Sequence, residues 1–397
     1  MKRREFIASA GLLAGATMLA TTAPEHVVVA DMTTQKSLPT TDVATPVGRI
    51  DVHHHIVPPV FLDALTRKGL DKLTGTPLPK WTVEQSVALM DSQGIHTAIT
   101  SLMAPGVYFG NDRSAAELAR SCNEFAAKMA AVHPGRFGSF AVLPLPATES
   151  ACVEATYVLD TLHADGVSLM GSNDGVFLGD PRFDELMAEL DSRHASVFLS
   201  PNLHPSSSQL LLERPQFGLE LDCDTTRAAL NLIFTGTLER YPHINWILSN
   251  GGGFLPYAAW RISLANVLPE FSDAVPQGVM TYLRRFYFDT ALTTYPGPMA
   301  VLKELVEPTQ LLYGSGFSLV RSETVADEIK GISRSLLWSP RQQQGIDRGN
   351  ALGLFPRYAT KGEVPILAPV HESETTLHKW ERTLKKPIGA LVQQLKN

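Results

Sequence analysis

Cysteine is nearly missing from this 397-residue chain: Cys122, Cys152 and Cys223 are the only three, an odd number without close spacing. That argues against a disulfide framework and a cysteine-based zinc site, and each thiol reads as a small buried side chain. Charge is also sparse, with 19% Asp, Glu, Lys and Arg and a formal net charge of −6. Beyond the first few residues there is no run of Lys and Arg. Nucleic acid and anionic membrane surfaces both demand clustered cations, so neither is expected as a partner. No apolar stretch has the length and bulk of a convincing transmembrane helix. Internal repeats and low-complexity segments are absent, and no G-x-G-x-x-G turn follows the first strand, which counts against a doubly wound nucleotide-binding sheet. What remains is a chain that is 44% hydrophobic, enough for a large core.

Residues 1–30 read as a signal peptide of twin-arginine type. Lys2, Arg3 and Arg4 form a basic head, Ile7 to Ala20 an apolar stretch, and Val28-Val29-Ala30 a small-residue cleavage site. The expected location is therefore periplasmic or secreted. Residues 31–48, polar and Thr/Pro-rich, read as a linker. From residue 49 to 360 short apolar runs alternate with amphipathic stretches. The runs are Ile50–His53, Thr97–Ser101, Phe137–Leu143, Gly166–Met170, Ser196–Ser200, Asn245–Ser249, Phe286–Thr290 and Gln310–Gly314. Helical patterns fall near 82–93, 114–132, 148–163, 180–193, 224–240, 254–268, 297–306 and 321–332. Eight strands alternating with helices predict an α/β fold, a (β/α)8 TIM barrel. Residues 361–397 form a tail with an amphipathic helix expected from about Ser373.

In such barrels chemistry sits at the C-terminal strand ends. The first strand ends Asp51-Val52-His53-His54-His55. His53 and His55 are two apart and point to one side of the strand, while His54 faces the other. Two inward imidazoles at a strand mouth suit a metal pair or an acid/base pair.

Asp51-x-His53-x-His55 after an apolar strand resembles the first-strand signature of amidohydrolases. Further motifs are similar to the aminocarboxymuconate-semialdehyde decarboxylase branch of amidohydrolase-related family 2. They include Trp81-Thr82-Val83-Glu84, Cys122-Asn123-Glu124, His133-Pro134-Gly135-Arg136-Phe137-Gly138 and Asp224-Thr225-Thr226-Arg227-Ala228. Gly251-Gly252-Gly253, Arg261-Ile262, Phe288-Asp289-Thr290-Ala291 and Tyr313-Gly314-Ser315 extend the likeness, which runs from about 49 to 357. The resemblance implies a decarboxylase-like or hydrolase-like enzyme, and homodimers are common in that branch.

The departures from the pattern are specific. Where the family places a His before Pro at strand five, this chain has Ser200-Pro201. Where it places a His before glycines after strand six, there is Asn250. Where it places an Asp at strand eight, the chain reads Gly314-Ser315-Gly316. Hydroxyl and amide oxygens bind transition metals far more weakly than imidazole or carboxylate. The expectation is therefore no metal cofactor, with zinc or manganese on His53 and His55 as the alternative. His53, His55 and Asp289 are the expected catalytic groups. Ser200, Asn250, Arg227, His204 and Ser315 are expected to bind substrate, and His204 or Asp289 is the candidate third ligand if a metal is present.

Three readings stand at this point. One is metal-independent acid/base chemistry on a small aromatic or enolisable carboxylic acid. Another is a metal enzyme with a reduced site. The third is a binding protein that kept the barrel without the chemistry.

Overall fold

A computed structural model of the chain describes residues 48–73, 76–210 and 219–369. The expected signal peptide, nearly all of the linker and the tail beyond residue 369 lie outside these. Eight parallel strands run in the order β1 (Arg49–Ile56), β2 (Ile95–Leu102), β3 (Phe137–Val142), β4 (Gly166–Met170), β5 (Ser196–Ser200), β6 (Asn245–Leu248), β7 (Tyr287–Asp289) and β8 (Leu311–Leu312). Backbone hydrogen bonds join the ends of the sheet, from Val52 N–H to the Tyr313 carbonyl (2.9 Å) and from Gly316 N–H to the His53 carbonyl (2.8 Å). The architecture is the expected TIM-type barrel. No helix among the described residues is long and apolar enough to cross a membrane.

The strands are apolar on both faces because both faces are covered. Ile50, Val52, Ile99, Phe140, Phe198, Ile247 and Leu312 fill the barrel interior. Alternate residues such as Val167, Leu169, Val197 and Leu199 pack outward against the helices. Each fully buried side chain of this size contributes roughly 1.5–3 kcal/mol. Ala351, Leu352 and Phe355, from the segment after β8, join the interior cluster and close the barrel opposite the functional end.

Helices α1 (Pro59–Arg67) and α2 (Val83–Gln93) follow β1; α3 (Asp112–Val132), α4 (Thr148–Asp160), α5 (Asp184–Ser192) and α6 (Glu220–Phe234) follow β2 to β5 in turn. Next come α7 (Leu255–Ser263), α8 (Pro296–Leu305) and α9 (Ser322–Arg334). Two details differ from the sequence expectation. Helix α1 lacks a predicted counterpart. The helix expected over 224–240 starts earlier and breaks at Gly236, whose φ of +73° favours glycine and ends α6 before a separate turn, Thr237–Arg240.

Strand β1 carries a register shift. Asp51 pairs with Ala98 but His54 with Thr100, so one extra residue is accommodated between them. Such bulges re-aim side chains next to functional sites.

Candidate active site

The two histidines meet as their spacing predicted. His53 Nε2 lies 2.9 Å from His55 Nε2, and the rings are perpendicular. His53 Nδ1 lies 2.7 Å from Asp289 Oδ2. Residues 53 and 55 are 4% and 5% exposed and Asp289 is fully buried. The three side chains form a linear chain at the mouth of the barrel.

Hydrogen positions follow from what each partner can accept. Asp289 Oδ1 takes N–H bonds from Asn250 (2.8 Å) and Ala291 (3.0 Å), so the carboxylate is anchored by backbone. As an ionised acceptor, its Oδ2 receives the proton of His53 Nδ1. His53 Nε2 is then bare and accepts from His55 Nε2–H. On that pattern the lone pair of His55 falls to Nδ1; Ser101 faces the ring with its Oγ at 3.4 Å and with a backbone hydrogen bond that works against the fall in pKa. Burial, reinforced by the neighbouring His53 and His54, holds the His55 pKa well below the usual imidazole value. His55 is therefore a neutral base.

His54 faces the other way and is structural. Its Nδ1 lies 3.0 Å from Asp51 Oδ2 and its Nε2 lies 2.8 Å from Ser86 Oγ. Trp81 Nε1–H donates to the same Ser86 oxygen at 2.8 Å, so the Ser86 proton goes to His54. Asp51 also accepts from the His53 and Ser315 backbone N–H groups and from the Ser315 hydroxyl (2.6 Å). This carboxylate pins the end of β1 to the end of β8. Gly314 has no side chain for a related reason: a Cβ there would lie 2.9 Å from His53 Cβ and 3.0 Å from Asp289 Cβ.

The remaining predicted residues are dispersed. Ser200 is buried at an inward position of β5, and its Oγ has no hydrogen-bond partner among the described residues. Ser315 is fully buried with its hydroxyl committed to Asp51, so it supports β1 and does not face the mouth. Asn250 contributes its backbone N–H to Asp289, while the residue lines a separate, mainly apolar cleft of about 540 Å³ with Tyr257 and Leu292. His204 sits in the loop after β5, with Nδ1 on Ser206 (2.7 Å), Nε2 on the Gly175 carbonyl (3.2 Å) and its ring stacked on Phe177. Those bonds commit both ring nitrogens to Ser206 and to the segment that follows β4. Arg227 is exposed on α6.

A second cavity, about 170 Å³, opens at the ends of β2 to β5 and is lined by Tyr108, Val142, Ser168, Asn173 and Asn202. Behind its wall, fully buried Asp224 accepts the Asn202 N–H at 2.8 Å, and burial pushes its carboxyl up to about 6. Sequence reasoning missed the roles of Asp51, Ser86 and Ser101. Asp51 stood inside the recognised motif, whereas isolated serines carry no sequence signal.

Residues 50–357 match the amidohydrolase family profile. Decarboxylase yanB of Aspergillus niger is 34% identical over 339 residues, spanning 80% of this chain and 90% of that protein. The 6-methylsalicylic acid decarboxylase of Penicillium expansum is 36% identical over 321 residues, 78% of this chain and 97% of its own length. A crystal structure of a dihydroxybenzoic acid decarboxylase from Polaromonas, with bound manganese and the inhibitor 2-nitroresorcinol, shares the fold. Its TM-score is 0.68 over 79% of this chain and 98% of that one, at 24% identity.

A catalytic metal is usually held by about three protein ligands and a water. Here two imidazole nitrogens converge. Both oxygens of Asp289 are taken by His53 and by backbone, and both nitrogens of His204 are taken by Ser206 and the Gly175 carbonyl. Among the described residues no group of three or more His, Cys, Asp or Glu could hold a metal ion, so this donor set does not fit a manganese centre. Profile, relatives and barrel nevertheless agree on descent: the chain belongs to the amidohydrolase family, in the decarboxylase-like branch of amidohydrolase-related family 2.

Proposed function

We propose that this protein is a decarboxylase-type lyase acting on a small hydroxylated aromatic acid by metal-independent acid/base chemistry. The observation that carries the reading is the buried Asp289–His53–His55 chain, whose terminal imidazole has its pKa held well below the usual value by burial. Relatives over most of this length are decarboxylases, one of them of 6-methylsalicylic acid, which supports the reaction class.

A phenolic hydroxyl beside the substrate carboxylate gives its proton to His55 Nδ1. The resulting imidazolium is stabilised because its Nε2–H points at His53, whose Nδ1–H points at the Asp289 carboxylate. The phenolate pushes electron density onto the ring carbon that bears the carboxylate, and that carbon takes the proton back from His55. The bond to the carboxylate then breaks. Its electron pair returns to the ring, CO2 leaves, and the phenolate is reprotonated from solvent, one proton being consumed per turnover. Positioned proton transfer of this kind contributes typically 10²–10⁴-fold to the rate.

The test is CO2 release from 6-methylsalicylic acid and 2,6-dihydroxybenzoate by protein dialysed against EDTA. The expected result is release that survives the chelator and disappears in His55→Ala. Activity that vanishes with chelator and returns with manganese overturns the metal-free part. Release from neither acid overturns the reaction class. The proposal extends to export, supported by Lys2-Arg3-Arg4 and the apolar stretch behind them. Cell fractionation of the wild type beside the Arg3→Lys/Arg4→Lys double variant tests it.

A further inference from the structure

We propose that Ser168 is a specificity-determining residue that recognises a second hydrogen-bonding substituent on the substrate ring; this rests on the aromatic-acid reading above. Ser168 sits in the middle of β4, where strand alternation turns Val167 and Leu169 outward to the helices and Ser168 and Met170 inward. Among strand residues facing the interior it is unusual. It is 2% exposed, its Oγ has no hydrogen-bond partner among the described residues, and it lines the 170 Å³ cavity. Ser200 and Ser249 also bury unpaired hydroxyls, but neither lines a described cavity; Ser172 lines this one, with its hydroxyl turned to the Asp224 carboxylate behind the wall. A buried hydroxyl without a partner is unfavourable unless a ligand or an ordered water supplies one. Beside a cavity, that partner has room to enter.

Neither the histidines nor Phe198 line the cavity, but packing links Ser168 to them. The strand register sets Ser168 level with Phe198. The Phe198 ring touches His53 edge-on at 5.0 Å and stacks on Phe140 at 5.3 Å. One aromatic pair thus lies against the catalytic chain, while the Ser168 backbone neighbours it. The other polar groups of the lining are Tyr108, Ser172, Asn173, Asn202 and the carboxylate Asp174, with no Lys, Arg or His among them, and Val142 is apolar. A lining without a cation suits a ring hydroxyl, which can donate as well as accept, better than a second ionised carboxylate. The substrate class is therefore a benzoic acid with a hydroxyl beside the carboxylate, used in the chemistry, and another hydrogen-bonding substituent that is only recognised.

The experiment compares 2-hydroxybenzoate with 2,6-dihydroxybenzoate on wild type and Ser168→Ala, by equilibrium dialysis and by CO2 release. Wild type is expected to favour the dihydroxy acid on the order of tenfold, and Ser168→Ala to lose that preference. Because the hydroxyl has no protein partner, the variant should melt no lower than wild type. A preference retained in Ser168→Ala overturns the proposal, as does a fall in melting temperature, which would give the hydroxyl a structural role. If wild type decarboxylates both acids without preference, this inference fails and the decarboxylase reading stands. If it binds and decarboxylates neither, that reading fails and takes the inference with it.

Discussion

Replacing Asp289 by Asn changes almost no volume, yet the hydrogen-bond pattern forces a definite rearrangement. The Asn250 and Ala291 backbone N–H groups can only donate, so they keep the amide oxygen of the new side chain. The NH2 group then faces His53 Nδ1, which must shed its proton to accept. That proton moves to His53 Nε2, 2.9 Å from His55 Nε2, and His55 must in turn carry its own proton on Nδ1. The bare nitrogen at the open end of the chain is gone. The carboxylate that stabilised the imidazolium is gone as well. An Asp-to-Asn change that reverses a tautomer in a catalytic triad costs about 10⁴ in kcat. Here a fall on the order of 10³–10⁴ is expected, with KM changed little and global stability lowered by about 1–2 kcal/mol. Steady-state kinetics on 6-methylsalicylic acid measure the first. Imidazole 15N chemical shifts read the tautomers directly. A well-folded Asp289→Asn protein within threefold of wild-type kcat, or with unchanged 15N shifts, refutes the relay.

Other consequences can be measured, two of them without a substrate. The folded pKa of His55 is depressed by burial, so the unfolded chain binds the extra proton first. Stability is then complete above the unfolded value of about 6.5 and falls as pH drops below it, by up to about 1.4 kcal/mol per pH unit. Urea titrations between pH 7 and 5 should show this slope in wild type, and His55→Gln should reduce it. Phe355→Ala empties the plug of the closed end and should cost about 3–5 kcal/mol by the same assay, since residue 355 is 3% exposed within the interior cluster. Gly314→Ala presses a methyl between His53 and Asp289, and should lower kcat about 10²-fold while the far-ultraviolet circular dichroism stays unchanged.

The barrel was legible because each strand is a short run buried on both faces, such as Gly166–Met170 and Ser196–Ser200, where pattern and structure share the same ends. The histidine pair was legible for a different reason: residues 53 and 55 stand two apart at the end of the first strand, which runs Arg49–Ile56. The dispersal of the other candidates was not. Ser200, Asn250 and Ser315 were chosen by position in a motif, and a motif does not state which way a side chain turns. Backbone at positive φ decides it for Asn250 (φ 52°), and a carboxylate 264 residues away decides it for Ser315. The free hydroxyl of Ser168 is defined by what fails to surround it, and one strand read alone contains no such information.

The His53–Asp289 bond spans 236 residues, and the Ser315–Asp51 bond that supports it spans 264. Both cross the seam where the first strand meets the last. Neither half of the chain contains a base and its carboxylate together, so a fragment ending in the loop after β5 carries both imidazoles and no relay. Proton-transfer competence therefore requires the seam to be shut, and a chain in which it is open is chemically silent. In a mixture of separately produced halves, turnover would count closed barrels and nothing else.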